Sequence, residues 1–513
     1  MCHTTQKIHP KLGLAQVSGA TKTKGEGTVG KLEHAVVLRF FGLGLTLSIL
    51  GCSTDVNQPS RSESGVFNDY YPGTERFGEY GTNQFVSTIQ DSLSTFGVDV
   101  DAGSYTFGRK KIRQGVRPPA NSVRVEEYVN YFDYGYAVPE TAPFAVYTDV
   151  GPSLFRGDSL HVLRIGIQGR EPSAERAPWN LTFLVDVSGS MSSRLEFVKQ
   201  CLYLLIDKMK TDDMLSVCTY AGTAKTVLHP TGIEDRGREE IKEILAGLTS
   251  EGSTAMAAGL NNAYSLNKNR FLENGVNRVI VCSDGDANVG AGTHEEILEQ
   301  IEEYVNQDIF LSTLGFGTGN YNDQMMEQLA DKGNGNYYYL DSKEEADRLF
   351  GEELSSVVEV VAQDVKVQVC FNADAVKRYR LIGYENRAIE DNAFGHDTTD
   401  GGEIGSGHSV TALYELEMIP NGASQVGRVV LKYVDSVSGN SGTLVEFLGL
   451  QSGAGSDRFY FAQAVGEYAE ILRESPHVRS SLSEVRDALW EYHVPGREKE
   501  IELIDLCESM VGR

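Results

Sequence analysis

Five oxygen-bearing side chains stand out in this chain by type and spacing. The run Leu181-Thr-Phe-Leu-Val-Asp186 leads straight into Val187-Ser188-Gly189-Ser190-Met191. Ser188 and Ser190 are two apart, so both hydroxyls can face one side of a loop, and Gly189 between them permits a sharp backbone turn. A second apolar run, Val279-Ile-Val-Cys-Ser283, ends in Asp284-Gly285-Asp286, and Glu251-Gly252-Ser253-Thr254 lies between the two. Carboxylate and hydroxyl oxygens are hard donors, suited to Mg2+ first and to Mn2+ or Ca2+ as alternatives, not to zinc. Magnesium takes near-octahedral oxygen ligands at roughly 2.0–2.1 Å. Asp186, Ser188, Ser190, Thr254 and Asp284 supply at most five positions, which leaves one for a carboxylate offered by a partner. Asp286 and Asn288 read as turn residues rather than ligands. Ser190 has a second role open to it, capping the helix that follows, but a cap does not account for the other four.

These residues need strand ends and loops to hold them, and the sequence supplies both. From residue 179 to 355, buried strands alternate with amphipathic helices. The strands are Leu181–Val187, Met214–Tyr220, Thr226–His229, Arg278–Ser283, Ile309–Phe316 and Tyr337–Leu340. The helices are expected over 196–208, 239–248, 255–266, 295–305, 323–332 and 342–354. Such alternation predicts an α/β fold, a doubly wound and mostly parallel sheet with helices on both faces. Sheets of this kind bind ligands at the carboxyl ends of their strands, where Asp186 and Asp284 fall. Residues 86–172 read as a strand, a helix over 103–114, a second short helix, and alternating strands over 143–168. Residues 360–452 read as antiparallel strands with acidic, Gly-rich loops, and 457–513 as two or three helices. Strands on both sides of the α/β unit imply that it is inserted between two halves of one β-sandwich.

With strand, loop and helix context included, Asp186-x-Ser188-x-Ser190, Thr254 and Asp284 resemble the metal-ion-dependent adhesion site of von Willebrand factor A domains. The resemblance continues in PFAVYTDVGPS, LRIGIQGR, RLIGYENR, GEIGSGHSVTALYE and the final helical segment, which look like bacterial lipoproteins of the YfbK type. It covers nearly everything from about residue 83 onward. It implies a family-specific N-terminal region, an A domain and a C-terminal domain, with a divalent cation held by the five residues above.

The N-terminus reads as an address. Arg39 and Lys31 precede the apolar run 40–50, which is too short to span a bilayer as a helix of about 20 residues and fits a secretory signal. Its end, Ile49-Leu50-Gly51-Cys52, resembles the bacterial lipobox, which implies a signal over 1–51, lipidation of Cys52 and a flexible polar tether over 52–85. Ser53 after the cysteine favours the outer over the inner membrane. Gly25-x4-Gly30-Lys31 imitates a phosphate loop, but Leu32 stands where a magnesium-binding hydroxyl belongs and no strand precedes it. Cys201, Cys218, Cys282, Cys370 and Cys507 contain no CxxC pair and read as buried thiols.

The formal net charge is -26, and residues 1–51 carry six basic and two acidic side chains, so the remainder is near -30. Such a surface repels phosphate backbones and argues against nucleic-acid binding; it also fits a solvated acidic surface with no specific partner. No GxSxG or HExxH set is present, and His396 and His408 lie in Gly-rich loops as turn or strand-edge residues. The expectation is therefore a non-enzymatic, lipid-anchored cell-envelope protein that binds a protein ligand through a metal-bridged carboxylate. Two alternatives stand beside it: an assembly factor working with a separate ATPase, and a scaffold whose β-rich and helical parts do the binding.

Overall fold

The computed structural model describes residues 75–171, 176–285, 294–317, 321–351, 353–396, 399, 401–450 and 455–511. The expected signal, Cys52, the tether up to residue 74, Asp286 and Asn288 lie outside them. The first flank contains β1 (Val86–Ser87), β2 (Leu93–Gly97), α1 (Gly103–Arg113), α2 (Val125–Asn130), and the long hairpin β3 (Phe144–Ser153) and β4 (Gly157–Gly169).

The central unit runs β5 (Trp179–Asp186), α3 (Leu195–Lys208), β6 (Met214–Tyr220), β7 (Ala224–Gly232), α4 (Ile233–Arg236), α5 (Arg238–Ala246), α6 (Met256–Lys268), β8 (Val276–Ser283), α7 (His294–Val305), β9 (Phe310–Gly315), α8 (Asp323–Lys332), β10 (Tyr337–Tyr339), α9 (Lys343–Gly351) and α10 (Leu354–Val358). Its sheet has the order β10-β9-β8-β5-β6-β7. All pairings are parallel except β6 with β7, which makes β7 an antiparallel edge longer than the strand expected at 226–229. The β5 run is buried along its whole length because both faces of the sheet are covered. Leu202, Leu205, Ile206, Leu245, Leu349 and Phe350 from α3, α5 and α9 close one face. Leu260, Tyr264, Ile297, Ile301 and Leu329 from α6, α7 and α8 close the other. The single helix expected over 342–354 is instead α9 and α10.

The second flank contains β11 (Val360–Phe371), β12 (Val376–Ile382), β13 (Ile404–Gly405), β14 (Ser409–Met418), β15 (Gln425–Asp435), β16 (Ser441–Gly449), α11 (Asp457–Leu472), α12 (Leu482–Tyr492) and α13 (Glu498–Met510). The two flanks share their sheets. One has the order β1-β12-β14-β4-β3; the other is β13-β11-β15-β16 with β2 also paired to β11. Phe96 of β2 lies opposite Val367, and Leu163 of β4 opposite Tyr414. Their inward side chains form one core with Ile165, Val369 and Leu416. The stretches read separately as 86–172 and 360–452 are thus interleaved halves of one β-structure, with the α/β unit inserted between them. Helices α11–α13 pack on α1 and α2 through Tyr105, Tyr128, Phe132, Phe461, Tyr468 and Leu503.

One boundary moves. The expectation of a tether reaching residue 85 does not hold for 75–85, which lie on the body as a strap. Glu75 pairs with Lys111 at 2.9 Å, Phe77 packs on Phe107 with centroids 5.0 Å apart, and Asn83 Nδ2 donates to the carbonyl of Gly383 at 2.8 Å. Buried partners, not composition, decide this: the strap is as polar and Gly-rich as a linker. Among the described residues no helix is long and apolar enough to cross a membrane.

Candidate metal centre

The order of the central sheet reverses about β5, which leads to β6 on one side and lies against β8 on the other. Sheets of this kind hold their ligands at such a switch point, at the carboxyl ends of the strands, and there Asp186 ends β5 and Asp284 follows β8. The register pairs Val185 with Cys282, which brings Ser283 opposite Asp186. Ser283 Oγ donates to Asp186 Oδ2 at 2.9 Å and accepts from Tyr220 OH at 2.9 Å and from the Gly285 N–H at 3.0 Å. The Ser188 N–H donates to Asp186 Oδ1 at 2.8 Å. Both Asp186 oxygens are therefore oriented, and the carboxylate is fully buried.

Ser188 and Ser190 present their hydroxyls to each other at 3.0 Å. Ser190 does not cap a helix: the short 3-10 turn Gly189–Met191 and α3 begin without a side-chain cap. Nor does Gly189 adopt left-handed backbone. Its N–H instead donates to Gly252 O at 3.1 Å. That bond, Ser250 Oγ to Ser188 O at 2.8 Å, and Glu251 N to Val187 O at 2.6 Å lash the 250–252 loop to the Asp186 loop. Thr254 follows two residues later, buried, just ahead of α6. Left-handed backbone is used at Gly285, φ 71°, where a Cβ would meet the Asn322 carbonyl oxygen at 2.5 Å; only glycine allows the chain to turn there directly after Asp284.

The structure thus joins Asp186, Ser188 and Ser190 through direct bonds, Asp284 through the adjoining strand, and Thr254 through its loop. Three supporting residues escape a sequence reading: Ser283, Tyr220 and Arg194. The signal for Ser283 was a hydroxyl closing an apolar strand immediately before Asp284. Arg194 Nη1 donates to Ser190 O at 2.8 Å and lies 3.5 Å from Asp284 Oδ2.

The electrostatics test the fit to a cation. Burial, with the Asp284 charge beside it, raises the Asp186 carboxyl above its ordinary range despite the donors it receives. Two buried carboxylates bordered by hydroxyl oxygens form a hard donor set, and the residues present fit a divalent cation of the Mg2+ type. His408 is elsewhere, in a cleft with Tyr131, Glu353 and Lys499, where burial holds it down to about 4. The carbonyl of His396 accepts from Lys366.

Comparison with known proteins gives matches in three stretches of the chain. The profile for the von Willebrand factor type A domain matches residues 180–352, that for "Uncharacterized protein YfbK, C-terminal" matches 356–452, and one described as von Willebrand factor matches 71–162. The chain is 33% identical over 477 residues to the Uncharacterized protein YfbK of Escherichia coli (strain K12), covering 86% of this chain and 82% of that protein. It is 32% identical over 165 residues to inter-alpha-trypsin inhibitor heavy chain H3 of Homo sapiens, covering 31% of this chain and 18% of that protein. A solved von Willebrand factor type A structure from Catenulispora acidiphila aligns over 73% of this chain and 91% of its own at 15% identity, with a TM-score of 0.44. At 33% identity across most of both chains, and with the A domain and the C-terminal region both matched, the chain belongs to the YfbK family of von Willebrand factor type A domain proteins.

Proposed function

We propose that this protein binds a protein ligand through a divalent cation, Mg2+ foremost, held by Asp186, Ser188, Ser190, Thr254 and Asp284. The observation that carries the reading is the lashing together of three separate loops at the switch point of the sheet. Two carboxylates buried side by side, with one guanidinium beside Asp284, gather negative charge that a scaffold with no ligand has no need of, since burying charge is costly. When bound, a divalent cation supplies a positive charge with a coordination position left for an incoming carboxylate. The chain's own part is positional. Ser283 and the Ser188 N–H fix the Asp186 carboxylate, and Arg194 braces Ser190 and Asp284.

The reading is of a binder and not an enzyme. It places the protein at the bacterial cell envelope, anchored through a lipidated Cys52, in the outer membrane rather than the inner. Association with an ATPase as an assembly factor gains no specific support from the crevice. The test is a crosslinking pulldown from membranes with the full chain, with and without EDTA, repeated with Asp186→Ala. Partners retained in magnesium and lost both in chelator and in the variant are expected. Partners retained equally in chelator contradict the reading.

A further inference from the structure

Segments from outside the A domain reach the neighbourhood of Asp284. Helix α1 of the first flank is riveted to the domain beside it. Arg109 pairs with Asp341 at 2.6 Å and Glu345 at 2.9 Å, Thr106 Oγ1 donates to Tyr339 O at 2.9 Å, and Phe107 packs edge-on against Tyr339 at 5.6 Å. The next residue, Lys110, places its ammonium 3.1 Å from Tyr339 OH. Tyr339 OH in turn donates to Gly317 O, and a Cβ on Gly317 would sit 3.1 Å from Asp284 Cβ. Burial lowers the Lys110 pKa, with the attraction of Asp341 opposing it and repulsion from nearby Arg194 adding to it. The strap contributes a third cation. The Arg76 N–H donates to Tyr321 O at 3.0 Å, and Arg76 forms a parallel bridge with Asn322, whose own N–H donates to Asp284 O at 3.2 Å. The Arg76 side chain is exposed.

Among the described residues, neither Arg76 nor Lys110 has a carboxylate within ion-pair distance, whereas neighbouring Lys111 is neutralised by Glu75. Arg76, Lys110 and Arg194 gathered near Asp284 are out of keeping with a chain of net charge -26. Surface charges of one sign gathered around a binding site select partners of the other sign.

We propose that the metal crevice is one half of a docking surface whose other half is a cationic rim of Arg76, Lys110 and Arg194, and that the partner presents an acidic segment: one carboxylate for the crevice, others for the rim. This inference rests on the metal-dependent binding proposed above and adds to it the chemistry of the partner. The first flank is then part of the binding face, and α1 and the strap hold two of its charges in fixed positions.

The test uses the full chain in magnesium and two short fluorescein-labelled peptides, one with a single aspartate and one with the same aspartate flanked by glutamates. Fluorescence anisotropy at low and high salt reads the affinities. The flanked peptide is expected to bind about ten-fold more tightly at low salt and to lose that advantage at high salt. Exposed charge pairs are worth roughly two- to five-fold each, so Arg76→Gln with Lys110→Gln should remove most of the advantage. The single-aspartate peptide should be unaffected by the double variant. Equal affinities for the two peptides, or a double variant that keeps the advantage, overturns the rim. Loss of the metal reading has a separate signature: binding of both peptides that persists in EDTA and in Asp186→Ala. Failure of both peptides to bind overturns both proposals.

Discussion

Replacing Ser283 with alanine probes the crevice without touching any of the five oxygen donors. The hydroxyl makes three bonds, to Asp186 Oδ2, from Tyr220 OH and from the Gly285 N–H. A hydrogen bond to a charged group contributes about 1.5–3 kcal/mol, and a buried donor left without an acceptor costs about 1–3 kcal/mol. Tyr220 has no exposed surface through which water could replace Ser283. The two effects overlap, because Asp186 keeps its bond from the Ser188 N–H, so Ser283→Ala should destabilise the folded chain by about 3 kcal/mol. The carboxylate also loses one of the two bonds that orient it. Losses of this kind weaken metal binding about 10–100-fold. Urea denaturation followed by circular dichroism reads the first quantity, and a Mg2+ titration followed by thermal unfolding reads the second. A change below about 0.5 kcal/mol, the size of an ordinary surface substitution, together with an unchanged Mg2+ affinity would refute the assignment of Ser283 as the support of Asp186.

Three further outcomes follow from the same geometry. Arg109→Ala leaves Asp341 buried without its guanidinium and Glu345 with Arg348 alone; breaking a buried pair this way costs about 3–5 kcal/mol, read by urea denaturation, and a loss under about 1 kcal/mol would show that α1 is not riveted by that pair. Glu126 is buried, and burial followed by the charges of Glu385 and Asp99 pushes its carboxyl up to about 7 from 4.5; the folded chain therefore holds a proton there that the unfolded chain has released, so this group's contribution to stability falls as pH rises from about 4.5 to about 7 and stays low above that. Glu126→Gln should flatten that stretch of the stability–pH curve and raise stability at pH above 7, and an unchanged curve would remove Glu126 as its cause. Burial raises the thiols of Cys201, Cys218, Cys282 and Cys507, whereas Cys370 is only half-buried, so a thiol reagent such as iodoacetamide, with the labelled sites located by peptide mapping, should mark none of the four until denaturant is added; rapid labelling of any of them in the native protein contradicts their burial.

The sequence carried much of the A domain because its signals are local. Strand β5 is an unbroken apolar run ending in Asp186, and the alternation of strand and helix over 179–355 needs no long-range information to be seen. Helix α8 begins where Asn322 caps it and spans the residues its pattern predicts. The β-structure was harder. Strands β2 and β11 are hundreds of residues apart in the chain and pair only because the inserted domain returns the chain beside its entry point. Alternation shows that each has an inward face, not which partner it meets. The strap over 75–85 was illegible for a different reason: a Gly-rich polar segment looks the same free or docked, and the difference lies in Lys111, Phe107 and the Gly383 carbonyl. The five residues proposed as donors stand out by type and spacing alone. Ser283, Tyr220 and Arg194 do not, since their roles depend on a register and a helix turn that place them beside Asp186, Ser190 and Asp284.

The central claim is that five oxygen donors from three loops hold one divalent cation. Titration of the metal-free full chain with Mn2+, followed by the electron paramagnetic resonance signal of the free ion, tests it most directly. The account predicts one tightly held Mn2+ per chain, displaced by excess Mg2+ and lost in Asp186→Ala and in Ser188→Ala. Absence of stoichiometric binding, or binding that persists unchanged in both variants, would contradict it.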